Sequence, residues 1–466
     1  MTNTSILQIE SLKLKELGIL NIDTSGRKKA ECFGIGCETL DRDLFDPEAV
    51  FPKIAETGAL RARLQTGWAK CEKSPGVFDF SWLDKHVDAL IELGMEPWFN
   101  LGYGNPVYQD QAEGYQATVG VVPTDNPDAL AAWLRYVEKL VEHFSDRVSI
   151  YEIWNEPDIP AFWVNQPRTG AEYARLFNPT VKAVKAAMPS AGIAALAMTS
   201  KALNPDGRAF ISEFIDNLEK PELIDIVTFH SYRYPPDFLY EADVAKLSEL
   251  VKKRLPGASL WMGEGGYPSQ PSGTGAKAHH NETSELIQAK WLTRHLITNV
   301  GIGVEFVSWF HAVDLAGYRD ASAINPKGLL RTNASPKQSF FAMQNLCTVF
   351  SNDFRPVEYP WRATYISEAH GHSQSEIQVY QFEGASGTRV AAYFNGGAIS
   401  DANTYRAIDL HLSEVEGDAL LLDTLGGSVY SVVPQNGKYS LPVADYPMLL
   451  VTGALTDEVL PLNPAT

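Results

Sequence analysis

Two short motifs in this 466-residue chain place carboxylates where they can do chemistry. Trp154-Asn155-Glu156-Pro157 closes one apolar run, and Gly263-Glu264-Gly265-Gly266 closes another. A lone Glu-Pro or Gly-Glu-Gly is ordinary loop sequence. Two glutamates at matching positions are a different matter. Paired carboxyls flanking a sugar bond are the equipment of glycoside hydrolysis: one protonates the leaving oxygen, and the other attacks the anomeric carbon or activates water. A third apolar run closes on His230-Ser231-Tyr232, and Trp309-Phe310 closes a fourth. Sugar rings stack their C–H faces on aromatic planes, so Trp68, Trp163 and Trp309 are candidate platforms. Asn105 is a candidate partner for a sugar hydroxyl.

These residues need a scaffold that brings strand ends together. From Ala30 to Phe350, apolar runs alternate with amphipathic stretches. Strands are expected at Cys32–Cys37, Leu60–Leu64, Glu96–Asn100, Val148–Trp154, Gly192–Ala197, Asp225–His230, Ser259–Met262 and Gly303–Trp309. Helix starts fall between them. Asp46-Pro47 and Asn126-Pro127 pair a capping side chain with proline at the first helical position. Ser81 with Asp84, and Thr169 with Glu172, read as capping boxes. The last helix is expected to open at Ser335-Pro336. Gly58 and Gly94 stand where helices must end in a left-handed residue.

Eight such units in about 320 residues predict an α/β fold: a closed (β/α)8 TIM barrel over residues 30–352. No Gly-x-Gly-x-x-Gly follows the first strand, which argues against a dinucleotide fold. After Phe354 the pattern alternates polar and apolar, with Gly426-Gly427 and Asn436-Gly437 as hairpin signals. Residues 353–466 therefore read as a C-terminal all-β sandwich. Residues 1–29 hold a strand-like run, Ser11–Leu17, expected to join it.

In such a barrel the site lies at the C-terminal ends of the strands. Glu156 and Glu264 are then at the mouth, three strands apart. Arg61, Arg63 and Gln65 share a parity and point the same way. An interior arginine needs a partner, so Arg63 is expected to reach Glu264 and keep it ionised. Glu152 and Glu305 are in phase with mouth residues but about 13 Å below them at about 3.3 Å per residue. They read as interior salt-bridge partners, for example of Arg61.

Asn-Glu-Pro after the fourth strand, with Glu after the seventh, resembles clan A of the glycoside hydrolases. Within that clan, Trp154-Asn155-Glu156-Pro157 followed by Phe162-Trp163, and a barrel followed by a sandwich, are most similar to glycoside hydrolase family 39. That family includes β-xylosidases and α-L-iduronidases. The resemblance implies a retaining mechanism with Glu156 as acid/base and Glu264 as nucleophile. It also implies that Asn155 bonds the sugar 2-hydroxyl, that His230 contacts substrate and that Tyr232 orients the nucleophile. Retention predicts carboxyls about 5–5.5 Å apart, and a neutral Glu156 needs the raised pKa that a charged neighbour provides. Long loops at Gly102–Asp125 and Tyr267–Asn281 suggest a closed pocket and exo action at a non-reducing end. The same pair would serve a transglycosylase, and an inactive barrel of this kind would still bind carbohydrate.

Composition narrows the partners. The hydrophobic fraction of 45% excludes whole-chain disorder. A net charge of −18 opposes nucleic acid and anionic membrane surfaces. A carbohydrate is the expected partner, and a large β-domain is a surface through which protomers often join. Cys32, Cys37, Cys71 and Cys347 form no metal or disulfide pattern and read as buried thiols. His279-His280, with no carboxylate in phase, reads as a solvated loop or a rim contact and not as a metal site. No metal and no cofactor are expected. Met1–Glu10 lacks the features of a secretory leader, so a cytoplasmic location is expected.

Overall fold

The structure is a computed structural model. It describes residues 12–463 apart from 13, 23–25, 111–118, 234–238, 272–282, 319–322, 367–375, 385–386, 414, 416 and 454–458. The His279-His280 pair and the middles of both long loops lie outside the described residues.

Strand β1 (Lys15–Ile19) precedes a closed parallel barrel of β2 (Ala30–Gly36), β3 (Ala59–Gln65), β4 (Glu96–Leu101), β5 (Ile150–Ile153), β6 (Gly192–Met198), β7 (Ile226–His230), β8 (Ser259–Gly265) and β9 (Phe306–Trp309). The longer helices around it are α1 (Pro47–Ala55), α3 (Ser81–Glu92), α4 (Pro127–Phe144), α5 (Gly170–Ala187), α6 (Pro205–Asp216), α7 (Tyr240–Arg254), α8 (Glu285–Gly301) and α9 (Gln338–Phe350), with a single turn α2 (Trp68–Cys71) after β3. Local chemistry sets several boundaries. Asp46 caps α1 by accepting from Glu48 N, and Asn126 caps α4 by accepting from Asp128 N and Ala129 N. Thr169 Oγ1 accepts from Glu172 N at the start of α5. Gly58 ends the first crossover at φ 83°, where a Cβ would be strained.

Two expected starts move. Ser81 is the first residue of α3 and does not cap it; Asp79 Oδ1 accepts from Ser81 N at 3.0 Å. The cause is Phe80, whose ring is buried against Tyr136 and Phe144, so packing fixes the entry. Ser335-Pro336 lies before α9, because Ser335 O accepts from Arg331 N and Pro336 bridges Leu330. Glu305 precedes β9 and is exposed, so it is no interior partner. Arg61 instead donates to Glu31 O and pairs with Glu96 at 3.2 Å.

A short hairpin, β10 (Leu315–Ala316) and β11 (Ile324–Asn325), follows the barrel. Then come β12 (Arg355–Val357), β13 (Trp361–Tyr365), β14 (Ile377–Glu383), β15 (Arg389–Asn395), β16 (Arg406–Leu412), β17 (Ala419–Asp423), β18 (Ser428–Val432), β19 (Tyr439–Val443) and β20 (Met448–Thr452). They make a seven-stranded antiparallel sheet, β1-β18-β17-β20-β15-β14-β12, and a three-stranded one, β13-β16-β19. β1 pairs with β18, so the N-terminal strand does join this domain. The middle of the large sheet is buried on both faces. Ala391, Tyr393, Leu421 and Leu450 meet Ile408, Leu410 and Leu441 of the small sheet. The alternate residues Val390, Ala392, Phe394 and Leu449 join the core of the barrel. That is why β15 is a continuous apolar run where an alternating one was expected. No helix among the described residues is long and apolar enough to cross a membrane.

Candidate active site

The site is built on one buried arginine. Arg63 sits in β3 and is fully buried. Its Nε and Nη2 donate to Glu152 Oε2 at 2.9 and 2.5 Å, and Nη2 also donates to Asn155 Oδ1 at 2.8 Å. Its Nη1 donates to Glu38 Oε1 at 2.8 Å and to Glu264 Oε2 at 3.0 Å. Burial opposes the charge, but Glu152, Glu38 and Glu264 outweigh it and hold the guanidinium well above the usual arginine pKa. Arg63 is thus the hub that positions three carboxylates and the motif asparagine.

Glu264, in β8, has both oxygens held: Tyr232 Oη donates to Oε1 at 2.6 Å, and Arg63 takes Oε2. Glu156 lies just past β5 with φ 44°, and its N–H donates to Ala197 O. That turn, following Trp154 at φ 63°, aims the carboxylate inward instead of along the strand. His230, at the end of β7, links the two. Its Nδ1 is 2.9 Å from Glu156 Oε1 and 3.7 Å from Glu264 Oε2. One carboxylate oxygen of Glu156 and one of Glu264 lie within 4.8 Å of each other and of a His230 nitrogen. That cluster has the shape of a cation site. However, the guanidinium 3.0 Å from Glu264 already supplies positive charge there and opposes a second cation.

Burial keeps His230 below its ordinary pKa, so the imidazole is neutral at pH 7 and acts by hydrogen bonding. Burial raises Glu264, with Glu38 and Glu156 adding to the rise against His230 and Arg63. The expected net lowering by Arg63 does not result, because burial outweighs it. Burial, with Glu264 beside it, pushes the Tyr232 hydroxyl well above its usual value, so it remains a donor.

Asn155, Glu156, His230, Tyr232, Arg63 and Glu264 therefore come together. Four other expected residues do not join them. Trp163 is buried against Trp154 and Tyr173, and its Nε1 donates to Pro167 O. Trp68 is buried between Tyr108 and Tyr136 and donates to Glu72. Asn105 is buried and spends its amide on Glu72 O and Val107 N. These three are packing residues: Trp68 lies against Trp133 and Tyr136 of α4, Trp163 against Tyr173 of α5, and Asn105, after β4, ties its loop to Glu72. Trp309 sits beside Gly265 across the β8–β9 ladder, but it is 1% exposed and donates to Lys327 O, so it presents no open face.

Residue reading alone missed Glu38 altogether and gave Glu152 the wrong partner. Glu152 accepts from Arg63, from Asn100 Nδ2 at 2.9 Å and from Thr228 Oγ1 at 2.5 Å. Glu38 stands just past a strand end, as Glu156 does, but in no motif of its own.

The model of glycosyl hydrolases family 39 matches residues 51–254. A β-xylosidase of Geobacillus stearothermophilus is 26% identical over 167 residues, 33% of this chain and 31% of that protein. A β-xylosidase of Caldicellulosiruptor saccharolyticus is 25% identical over 201 residues, 38% of each. The matched stretch thus spans about a third of the length of these relatives. A family 39 glycoside hydrolase from the gut symbiont Bacteroides cellulosilyticus WH2 has the same fold, with TM-score 0.67 at 18% identity, covering 91% of this chain and 81% of that one. By motif, matched segment and barrel-plus-sheet fold, the chain is similar to the family 39 glycosyl hydrolases.

Proposed function

We propose that this chain is a retaining glycoside hydrolase, with Glu264 as nucleophile and Glu156 as acid/base, acting on a terminal sugar. The observation that carries this reading is the carboxylate pair, one oxygen of each within 4.8 Å of the other, with His230 Nδ1 2.9 Å from Glu156 and 3.7 Å from Glu264. An inverting pair leaves room for water, with carboxyls about 6.5–9.5 Å apart.

The geometry supports the following steps. Glu264, held by Tyr232 and Arg63, attacks the anomeric carbon while Glu156 gives its proton to the leaving oxygen. The C–O bond to the aglycone breaks and a glycosyl–Glu264 ester forms. Glu156, now a carboxylate, takes a proton from water as that water attacks the same carbon and releases Glu264. Asn155, fixed by Arg63 Nη2, keeps its amide N–H for the sugar 2-hydroxyl. The two relatives named β-xylosidase make a β-xyloside the first substrate to test.

The test uses aryl glycosides of xylose, glucose, galactose, arabinose and glucuronic acid, with Glu264→Ala and azide. Azide can enter only from the face the carboxylate vacates, so the expected product from Glu264→Ala is the glycosyl azide of inverted configuration. Wild-type hydrolysis of one sugar and a dead Glu264→Ala are expected alongside it. Full activity in Glu264→Ala would overturn the assignment.

A further inference from the structure

Glu38 is a buried acid for which the mechanism above has no use. It follows β2 and is 1% exposed. Its Oε1 accepts from Arg63 Nη1, the same nitrogen that holds Glu264 Oε2. Its Oε2 is buried with no hydrogen-bond partner among the described residues. Gly36 leaves room for that oxygen, since a Cβ there would lie 2.3 Å from it. The groups facing Glu38 are Arg63 from β3, Glu264 from β8, His230 from β7 and His311 beyond β9. His311 Nε2 bonds Glu38 O at 2.9 Å and lies 3.7 Å from Oε2. Cys37 precedes it in the chain, and Glu152 of β5 lies across Arg63.

We propose that Glu38 is a positioning residue for Glu264: it anchors Arg63 Nη1 as a neutral carboxylic acid, so that the guanidinium's charge is left to the nucleophile and Glu152. Two carboxylates on one buried nitrogen cannot both ionise cheaply, as in acid dyads that share a proton. The proton belongs on Oε2 of Glu38, the oxygen no donor reaches, because Glu264 has a donor on each oxygen. Burial raises Glu38, and Arg63 opposes the rise. This places Arg63 and Glu264 in fixed register without adding a third negative charge beside Glu152 and Glu264. It rests on the retaining reading for its kinetic arm only.

The test compares Glu38→Gln and Glu38→Ala in the full chain. Glutamine keeps the acceptor for Nη1 and carries no charge. The sign of the stability effect follows from linkage. An acid with a raised folded pKa loses stability as pH climbs from the unfolded value, about 4.3 for glutamate, through the folded one. Glu38→Gln is therefore expected to melt at or above wild type at pH 7, with the difference closing as pH falls to 4. A Glu38→Gln protein that melts below wild type at pH 7 and matches it at pH 4 would show an ionised, favourably paired Glu38 and overturn the proposal. In kinetics, Glu38→Ala is expected to lower kcat at least tenfold with KM changed less than threefold, and Glu38→Gln to recover most of that loss. Equal losses in both variants would overturn the neutral role, and wild-type kinetics in Glu38→Ala would overturn any role. If Glu264→Ala proves fully active, the retaining reading fails, and the melting arm still decides the state of Glu38.

Discussion

At the residue scale, the site is set by one buried positive charge and the cost of burying the acids around it. Arg63 holds Glu152, Glu38 and Glu264 at once. Burial then decides the direction for Glu264, which rises. A nucleophile must be ionised to attack, so activity is lost as pH falls through that raised value. The acid limb of kcat/KM, which reports the free enzyme, is expected above the ordinary glutamate value of about 4.3. Undiminished kcat/KM down to pH 4 would refute this. Removing the hub itself is a stability experiment. Arg63→Met leaves Glu152 buried and uncompensated, and breaking such a pair costs about 3–5 kcal/mol; chemical denaturation measures it. The Glu156 and Glu264 motifs were legible in the sequence because each stands next to a glycine or proline at a strand end. Glu38 was not, because a single Glu after an apolar run has no such neighbours. Its meaning comes from Arg63, 25 residues away.

At the scale of elements, strand ends and helix starts follow local chemistry until packing overrides it. Thr169 and Asn126 cap as their spacing implies, whereas Ser81 yields to the burial of Phe80. The tryptophans show the same limit. Composition marks Trp163 and Trp68 as sugar platforms, but burial depends on where the loops after β3 and β5 settle, and the sequence does not show that. Trp163→Ala separates the readings. Emptying a buried tryptophan site costs about 3–5 kcal/mol, so the melting temperature should fall while KM of the folded protein holds. A raised KM with unchanged melting would restore the platform role. Parity likewise placed Glu305 inside the barrel, but parity holds only within a strand, and β9 starts one residue later at Phe306.

At the scale of the molecule, the large sheet is part of the barrel's core as well as its own. Helix α8 enforces the joint. Lys290 Nζ pairs with Asp445 and donates to Ser400 O and Ala402 O. Arg294 donates to Asp445 O, Gly397 O and Asn395 O. Barrel and sheets should therefore unfold in one calorimetric transition. Arg294→Ala, which strips three carbonyls of their donor at about 1–3 kcal/mol for each group left unpaired, should lower that transition without splitting it. Two separate transitions in wild type would contradict the shared core. The barrel was legible from eight strand–helix alternations. The double burial of β15 was not, because alternation was expected there and the sequence does not name the strand's second partner.

The most direct test of the account is the configuration of the first sugar released from the cleaved aryl glycoside, followed by proton NMR before mutarotation. Two displacements on one carbon by Glu264 and then water predict the anomer of the substrate, which for an aryl β-xyloside is β-xylose. Release of the opposite anomer would mean a single displacement and would contradict the roles assigned to Glu156 and Glu264.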